Sequence, residues 1–183
     1  MEDNYKEVSY SKTTVSELMI PAYANFGGKI HGGILLSLMD KVAYACASKH
    51  AGNYCVTVSV ENVDFLEPVE VGEMVTLLAM VNYVGKSSLV IGIKVIAENF
   101  LKGTVKHTNT SYFTMVAKDE FGKPTQVPGL ILETKEDMKR FLEAIKRKEL
   151  KASYKTELQK ARITLMVESE NNMLQKERCI LRL

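Results

Sequence analysis

The stretch Asn25-Phe26-Gly27-Gly28-Lys29-Ile30-His31-Gly32-Gly33-Ile34-Leu35-Leu36-Ser37-Leu38-Met39-Asp40 decides how the whole chain reads. Four glycines in the nine residues from Asn25 to Gly33 describe a loop. From Ile34 to His50 the chain is rich in Leu, Met and Ala, good helix formers. Its apolar residues cover most of a helical circumference, which predicts a helix buried on nearly every side. Ala51-Gly52-Asn53 ends it.

Asp40 is the anomaly in this helix. An ionised carboxylate among apolar residues costs several kcal/mol unless it is paired or hydrogen-bonded. The plain alternative is a surface position beside Lys41. Leu36 and Met39 before it, with Ala43, Tyr44 and Ala47 after it, share or adjoin its face, so a buried, functional carboxylate is expected. Gly32 and Gly33 stand where the helix starts. Backbone N–H groups at a helix N-terminus, unobstructed by side chains, suit a developing oxyanion. From Gly33 to Asp40 is about 10 Å along a helix axis at about 1.5 Å per residue. One subunit therefore cannot hold a carbonyl at Gly32-Gly33 and attack it with its own Asp40. An antiparallel copy of the same helix across a two-fold axis could supply the carboxylate.

Outward from this stretch the chain is β-rich. Residues 11–20 read as a first strand closed by Pro21. Tyr54–Val60, Met74–Tyr83, Leu89–Ala97 and Thr104–Ala117 carry dense Val, Ile, Thr and Tyr. Short turns at Glu67-Pro68 with Gly72, at Gly85-Lys86-Ser87 and at Lys102-Gly103 imply antiparallel pairing. Asp119 to Pro128 reads as a linker. After it, Thr134 with Asp137 resembles a capping box, and Met138, Phe141, Leu142 and Ile145 line one helix face. Tyr154, Leu158, Ala161 and Leu165 extend the stripe after a break near Leu150 to Ser153. The domains expected are residues 1–133 and a basic helical extension over 134–183.

The chain has 183 residues, 24 Lys+Arg and 22 Asp+Glu, for a net charge of +2. That balance does not suggest a nucleic-acid binder. The charge is uneven: residues 134–183 hold 13 basic and 8 acidic side chains. Cys46, Cys55 and Cys179 are too few and scattered for a disulfide framework or a metal knuckle, and read as reduced thiols in a cytoplasmic protein. His31, His50 and His107 have no metal-ligand spacing. Gly85-Lys86-Ser87 lacks the upstream glycine of a phosphate loop and reads as a hairpin turn. No stretch is long and apolar enough to span a bilayer, so membrane insertion is not expected.

Asn25-x-x-Gly28-x-x-His31-Gly32-Gly33 followed by Leu38-Met39-Asp40 resembles the signature of hotdog-fold acyl-CoA thioesterases of the YciA and brain acyl-CoA hydrolase type. Val56-Thr57-Val58-Ser59-Val60, Phe65, Pro68-Val69, Gly72-Glu73 and Phe113–Asp119 continue the likeness, which covers about residues 13–119. Tyr23 departs from it, since the family commonly has Asp there.

The resemblance implies an α+β hotdog fold, an antiparallel sheet wrapped around a long central helix. It also implies a homodimer as the minimal active unit, assembled as a trimer of dimers. Asn25 and Asp40 from opposite subunits would hydrolyse the acyl-coenzyme A thioester to a carboxylic acid and coenzyme A. Gly32 or Gly33 would donate to the carbonyl oxygen, and no metal or redox cofactor would be needed. The strand edge at Val58-Ser59 and the Lys86-Ser87-Ser88 turn are the candidates for holding coenzyme A. A competing class is a non-catalytic acyl-CoA-binding module, since fold alone does not fix function. A third is a hotdog dehydratase, for which His31 is the one placed histidine.

Overall fold

The computed structural model describes residues 4–164, 177–180 and 182. In chain order these form β1 (Tyr5–Glu7), α1 (Val8–Ser11), β2 (Thr13–Leu18) and a 3-10 turn at Pro21–Tyr23. There follow α2 (Gly32–Ala51), β3 (Tyr54–Val60), β4 (Met74–Val84), β5 (Ser88–Asn99), β6 (Thr104–Lys118), β7 (Gly129–Ile131) and α3 (Lys135–Thr164).

Five strands make one antiparallel sheet in the order β2-β4-β5-β6-β3. Alternation sends Val75, Leu77, Ala79 and Val81 of β4 to one face. Leu89, Ile91, Ile93, Val95 and Ala97 of β5 and Phe113, Met115 and Ala117 of β6 join them, all buried. Against this face lies α2, through Leu35, Leu38, Met39, Val42, Ala43, Cys46 and Ala47. The helix touches all five strands, so the sheet curls around it in the hotdog arrangement. Small residues at 43, 46 and 47 allow the close approach. Gly52, at φ 70°, ends the helix in the left-handed conformation and returns its N–H to Ser48 O.

Two expectations about α2 are corrected. The helix is not buried all round: Leu36, Asp40, Lys41 and Tyr44 form an exposed stripe at helical spacing. Asp40 therefore faces outward in the single chain and carries no burial cost there. The apolar residues on its side cover an outer face, not the core.

The strands match the expected ones to within a few residues, and Gly85-Lys86-Ser87 is a β-hairpin turn closed by Gly85 N–H on Ser88 O at 2.8 Å. Not expected is a second sheet, in which β1 pairs in parallel with β7 just past the linker. Three-residue strands carry too little periodicity to be read from sequence. The chain divides into two compact units, Met1–Ala144 and Ile145–Leu183.

The capping box at α3 is real. Asp137 N–H donates to Thr134 Oγ1 at 3.0 Å, and Thr134 N–H donates to Asp137 Oδ2 at 3.1 Å. The expected break near Leu150 to Ser153 is absent, since α3 is continuous through it; Ser153 alone does not stop a run of Lys, Glu, Leu and Ala. Phe141 packs on Tyr83 with ring centroids 5.0 Å apart, and Ala144 is buried. Met138 and Leu142, expected on the same buried stripe, are exposed instead. Leu165, placed on the extended stripe, lies outside the described residues. Among the described residues no helix is long and apolar enough to cross a membrane.

Candidate active site

Asp40 sits halfway along α2, on the exposed stripe, beside the last strand of the sheet. Thr57 of β3 donates its hydroxyl to Asp40 Oδ1 at 2.6 Å, and that hydroxyl oxygen, Thr57 Oγ1, lies 3.2 Å from Met115 Sδ. The pairing of β3 with β6 slips between Thr57 and Ser59, so Val58 is the extra residue of a β-bulge. A bulge re-aims the side chains around it, and here it follows the residue that holds the carboxylate. A groove of about 350 Å³ runs beside the pair, lined by Asp40, Lys41, Tyr44, Tyr54, Thr57 and Met115. Tyr44 and Tyr54 face each other there, with centroids 5.9 Å apart.

Cys55 also lines this groove, but burial pushes its thiol up, as it pushes that of Cys46 up to about 12. Neither is a thiolate nucleophile at neutral pH.

The loop before α2 forms a separate half-site. Asn25 Oδ1 accepts from Gly27 N–H at 2.9 Å and from Lys29 N–H at 3.2 Å, while Gly28 turns the chain at φ 75°. The carboxamide oxygen is spent on the loop, so the NH₂ is the group Asn25 can offer a substrate. Tyr23, at the departure from the family pattern, donates its hydroxyl to Glu17 at 2.9 Å, which raises the phenol's pKa. A carboxylate thus still braces this loop, supplied by β2 rather than from within it.

His31 caps α2. Its Nδ1 accepts from Gly33 N–H at 2.9 Å, so of the two expected oxyanion donors Gly33 is already engaged and Gly32 is the one left. Both glycines also have steric reasons. A Cβ at Gly33 would lie 3.0 Å from the capping imidazole, and one at Gly32 would lie 3.2 Å from the Phe65 ring.

Asn25, Gly32 and Gly33 are not part of the groove that Asp40 lines. One chain holds the two halves apart, as the rise of α2 requires. Nor does it bring together the two candidate coenzyme A contacts. Ser88 stands opposite Val116, which stands opposite Val56, so the Lys86-Ser87-Ser88 turn lies level with the Tyr54–Val56 half of β3 but across β6 from it, while Val58-Ser59 lie toward the other end of β3. Thr57 itself escapes sequence reading, because threonine in a strand is ordinary. His31 as a cap was legible in principle, from its place just before the helix.

A sequence model of the thioesterase superfamily matches residues 27–115. An apo-hexameric acyl-CoA thioesterase of known structure superposes with a TM-score of 0.77 at 34% identity, covering 88% of this chain and 99% of that one. The chain belongs to the thioesterase superfamily. The protein VdlD of Helicobacter pylori is 44% identical over 141 residues, 77% of this chain and 80% of its own length. Among thioesterases of known structure, an acyl-CoA hydrolase of Staphylococcus aureus, studied with butyryl coenzyme A, coenzyme A and coenzyme A disulfide, matches at TM-score 0.77 and 31% identity. It covers 86% of this chain and 96% of that one.

Proposed function

We propose that this thioesterase hydrolyses acyl-coenzyme A, and that the Thr57-anchored carboxylate of Asp40 does the chemistry. The observation that carries the reading is that carboxylate: outward-facing, fixed at 2.6 Å by one donor, and at the mouth of a groove. Its counterpart supports the reading in kind and in spacing. The Staphylococcus aureus hydrolase was also studied as Asn→Ala, Asp→Ala and Thr→Ala variants. The Asn and Asp positions there are fifteen residues apart and the Asp and Thr positions seventeen, as are Asn25, Asp40 and Thr57 here.

In the proposed reaction the thioester carbonyl lies against Gly32 N–H of one subunit and Asp40 of the other. Asp40 either takes a proton from an attacking water or attacks the carbonyl itself, and both routes need it ionised. The C–S bond breaks and the thiol of coenzyme A leaves with a proton. On the water route the free acid forms at once; on the direct route water then cleaves the mixed anhydride to release the acid and restore Asp40. Gly32 N–H meets the negative charge as it develops on the carbonyl oxygen. Asn25 offers its NH₂ to the water or the thioester. Lys86, exposed in its turn, would meet a phosphate of coenzyme A, with Ser87-Ser88 and the strand edge at Val58-Ser59 as the other contacts.

The composite site needs two chains. The exposed stripe of α2 and the outer edge of β3 together form the surface on which a second copy would sit, and a trimer of such dimers matches the hexamer of the relative. The buried, unbridged thiols of Cys46 and Cys55 favour a cytoplasmic location. The test is direct: purified protein with a panel of acyl-coenzyme A thioesters and a thiol reagent. Release of coenzyme A that Asp40→Asn abolishes is expected, and no release with any chain length would overturn the reading. One turnover in ¹⁸O water that puts label into Asp40 establishes the direct route, since only water opening an anhydride at the Asp40 carboxyl carbon places it there.

A further inference from the structure

Asn25 and Lys29 hold each other across the loop before α2. Asn25 N–H donates to Lys29 O at 2.6 Å, and Lys29 N–H donates back to Asn25 Oδ1 at 3.2 Å. Any shift of Lys29 therefore carries the Asn25 carboxamide with it. Lys29 is fastened in turn from outside the loop. It lies opposite Glu70 in an antiparallel bridge, and its Nζ meets Glu70 Oε1 at 2.5 Å. Beside it, Ile30 N–H donates to Val69 O at 2.9 Å.

The fastening continues inward to the sheet. Glu70 N–H donates to Glu73 Oε2 at 2.9 Å, and Glu73 Oε1 meets Lys106 Nζ of β6 at 2.9 Å. At 3% exposure, Glu73 is the one buried carboxylate among the described residues. Its main chain is held as well, since its carbonyl accepts from Met19 N–H at 2.9 Å. An unbroken run of contacts thus joins Lys106, Glu73, Glu70, Lys29 and Asn25.

A buried ion pair adds little net stability over an apolar pair of similar volume, because both charges give up water. What it adds here is direction. Glu73 turns one oxygen to a cation and the other to a backbone N–H, and so fixes the main chain at Glu70. The largely exposed Lys29–Glu70 pair would contribute little by itself. Set on that base, it locates the loop. The Lys29 hydrogen bond holds the Glu70 carboxyl below the usual carboxylate range; desolvation opposes this, and the charges of Lys29, Lys106 and Lys102 add to it.

We propose that Glu70, Glu73 and Lys106 are positioning residues for hydrolysis, acting through Lys29 to aim the Asn25 NH₂ at the thioester or its water. The inference rests on the hydrolase reading and deepens it. None of the three carries the chemistry; each sets where Asn25 stands. Displacing by about 1 Å a group that acts in the transition state can cost about 10²-fold in rate. The groove beside Asp40 is untouched by such a shift, so the loss falls on kcat and not on KM.

Steady-state kinetics on the most rapidly cleaved acyl-coenzyme A, melting curves and amide hydrogen exchange of the full chain test this. Two variants are decisive. Glu70→Ala removes the outer link at a surface position. Glu73→Leu combined with Lys106→Met replaces the inner pair by an apolar one and leaves no charge stranded. Each lowers kcat by about tenfold or more, with KM and melting temperature nearly unchanged. Lys106→Arg, which keeps a cation on Glu73, retains most of the rate. In both weakened variants the amides of Gly27 and Lys29, which donate to Asn25 Oδ1, exchange faster than in the wild type. Wild-type kcat in both variants, or unchanged exchange at Gly27 and Lys29, would overturn the proposal. If Asp40→Asn abolishes hydrolysis while these variants leave it intact, the positioning fails and the hydrolase reading stands. A wild-type protein that cleaves no thioester overturns both.

Discussion

Thr57 Oγ1 lies 2.6 Å from Asp40 Oδ1, and it ties the carboxylate on α2 to the last strand of the sheet. The hydroxyl is the one side-chain donor to this carboxylate among the described residues. Its removal frees the carboxylate to change rotamer without touching the core. Thr57→Val should lower kcat by about 10- to 100-fold, the equivalent of losing a hydrogen bond to a charged group worth roughly 1.5–3 kcal/mol. Thr57→Ser, which keeps the hydroxyl, should recover most of the rate. Equal rates for Val and Ser variants would remove Thr57 from the site.

Asp40→Asn is nearly isosteric and sits on an exposed stripe, so the fold should survive unchanged. Hydrolysis should drop by roughly 10²–10⁴-fold, the usual range for a lost general base. Steady-state rates and a melting curve, taken together, separate loss of chemistry from loss of fold.

Asn25→Ala and Asp40→Ala subunits should each be inactive alone. Mixed and allowed to exchange, they should regain activity, because one of the two composite sites in a heterodimer keeps both native residues. Native mass spectrometry confirms the exchange, and continued inactivity after it would show that each chain acts alone.

His50 is wholly buried at the end of α2, with Nε2 3.0 Å from Pro128 O and its own carbonyl accepting from Lys6 Nζ at 2.6 Å. Burial lowers its pKa below the ordinary 6.5; the Pro128 carbonyl opposes this and the Lys6 charge adds to it. The unfolded chain therefore takes up the proton first as pH falls. This contribution to stability is complete above about pH 6.5 and is lost as pH drops through the lowered folded value. Urea unfolding between pH 8 and pH 5 should show that decline, and His50→Gln should flatten it.

Truncation after Glu133 removes Phe141 from Tyr83 and the buried Ala144 from the core. The melting temperature should fall by several degrees, on the order of 2–4 °C for each kcal/mol lost in a chain of this size. An unchanged melting temperature would show that the first turns of α3 add nothing to the larger unit.

The parts of this protein that were legible in sequence are those that repeat. The helix behind Gly32-Gly33 and the strands from Met74 to Lys118 announce themselves by period, and Gly85 and Gly103 mark their turns. Asp40 stood out for its charge, yet its exposure was misread. A stripe of Leu36 and Tyr44 around it looks the same whether it faces a core or a second surface. Thr57 was legible as one residue of a strand resembling the family's, but not by its role. It gains that role from one partner far along the chain, Asp40. The strands β1 and β7 were too short to show a pattern, and their pairing depends on where the linker ends.

The bulge at Val58 has a consequence for the chain while it is still being made. Val56-Thr57-Val58-Ser59-Val60 is a β-branched ribbon at the margin of the sheet, the kind of template that recruits stray strands and seeds fibrils. A kink in its middle denies a stranger a long straight run to zip against. The irregularity that sets Thr57 beside Asp40 thus also guards a newly synthesised chain against association with the wrong neighbour.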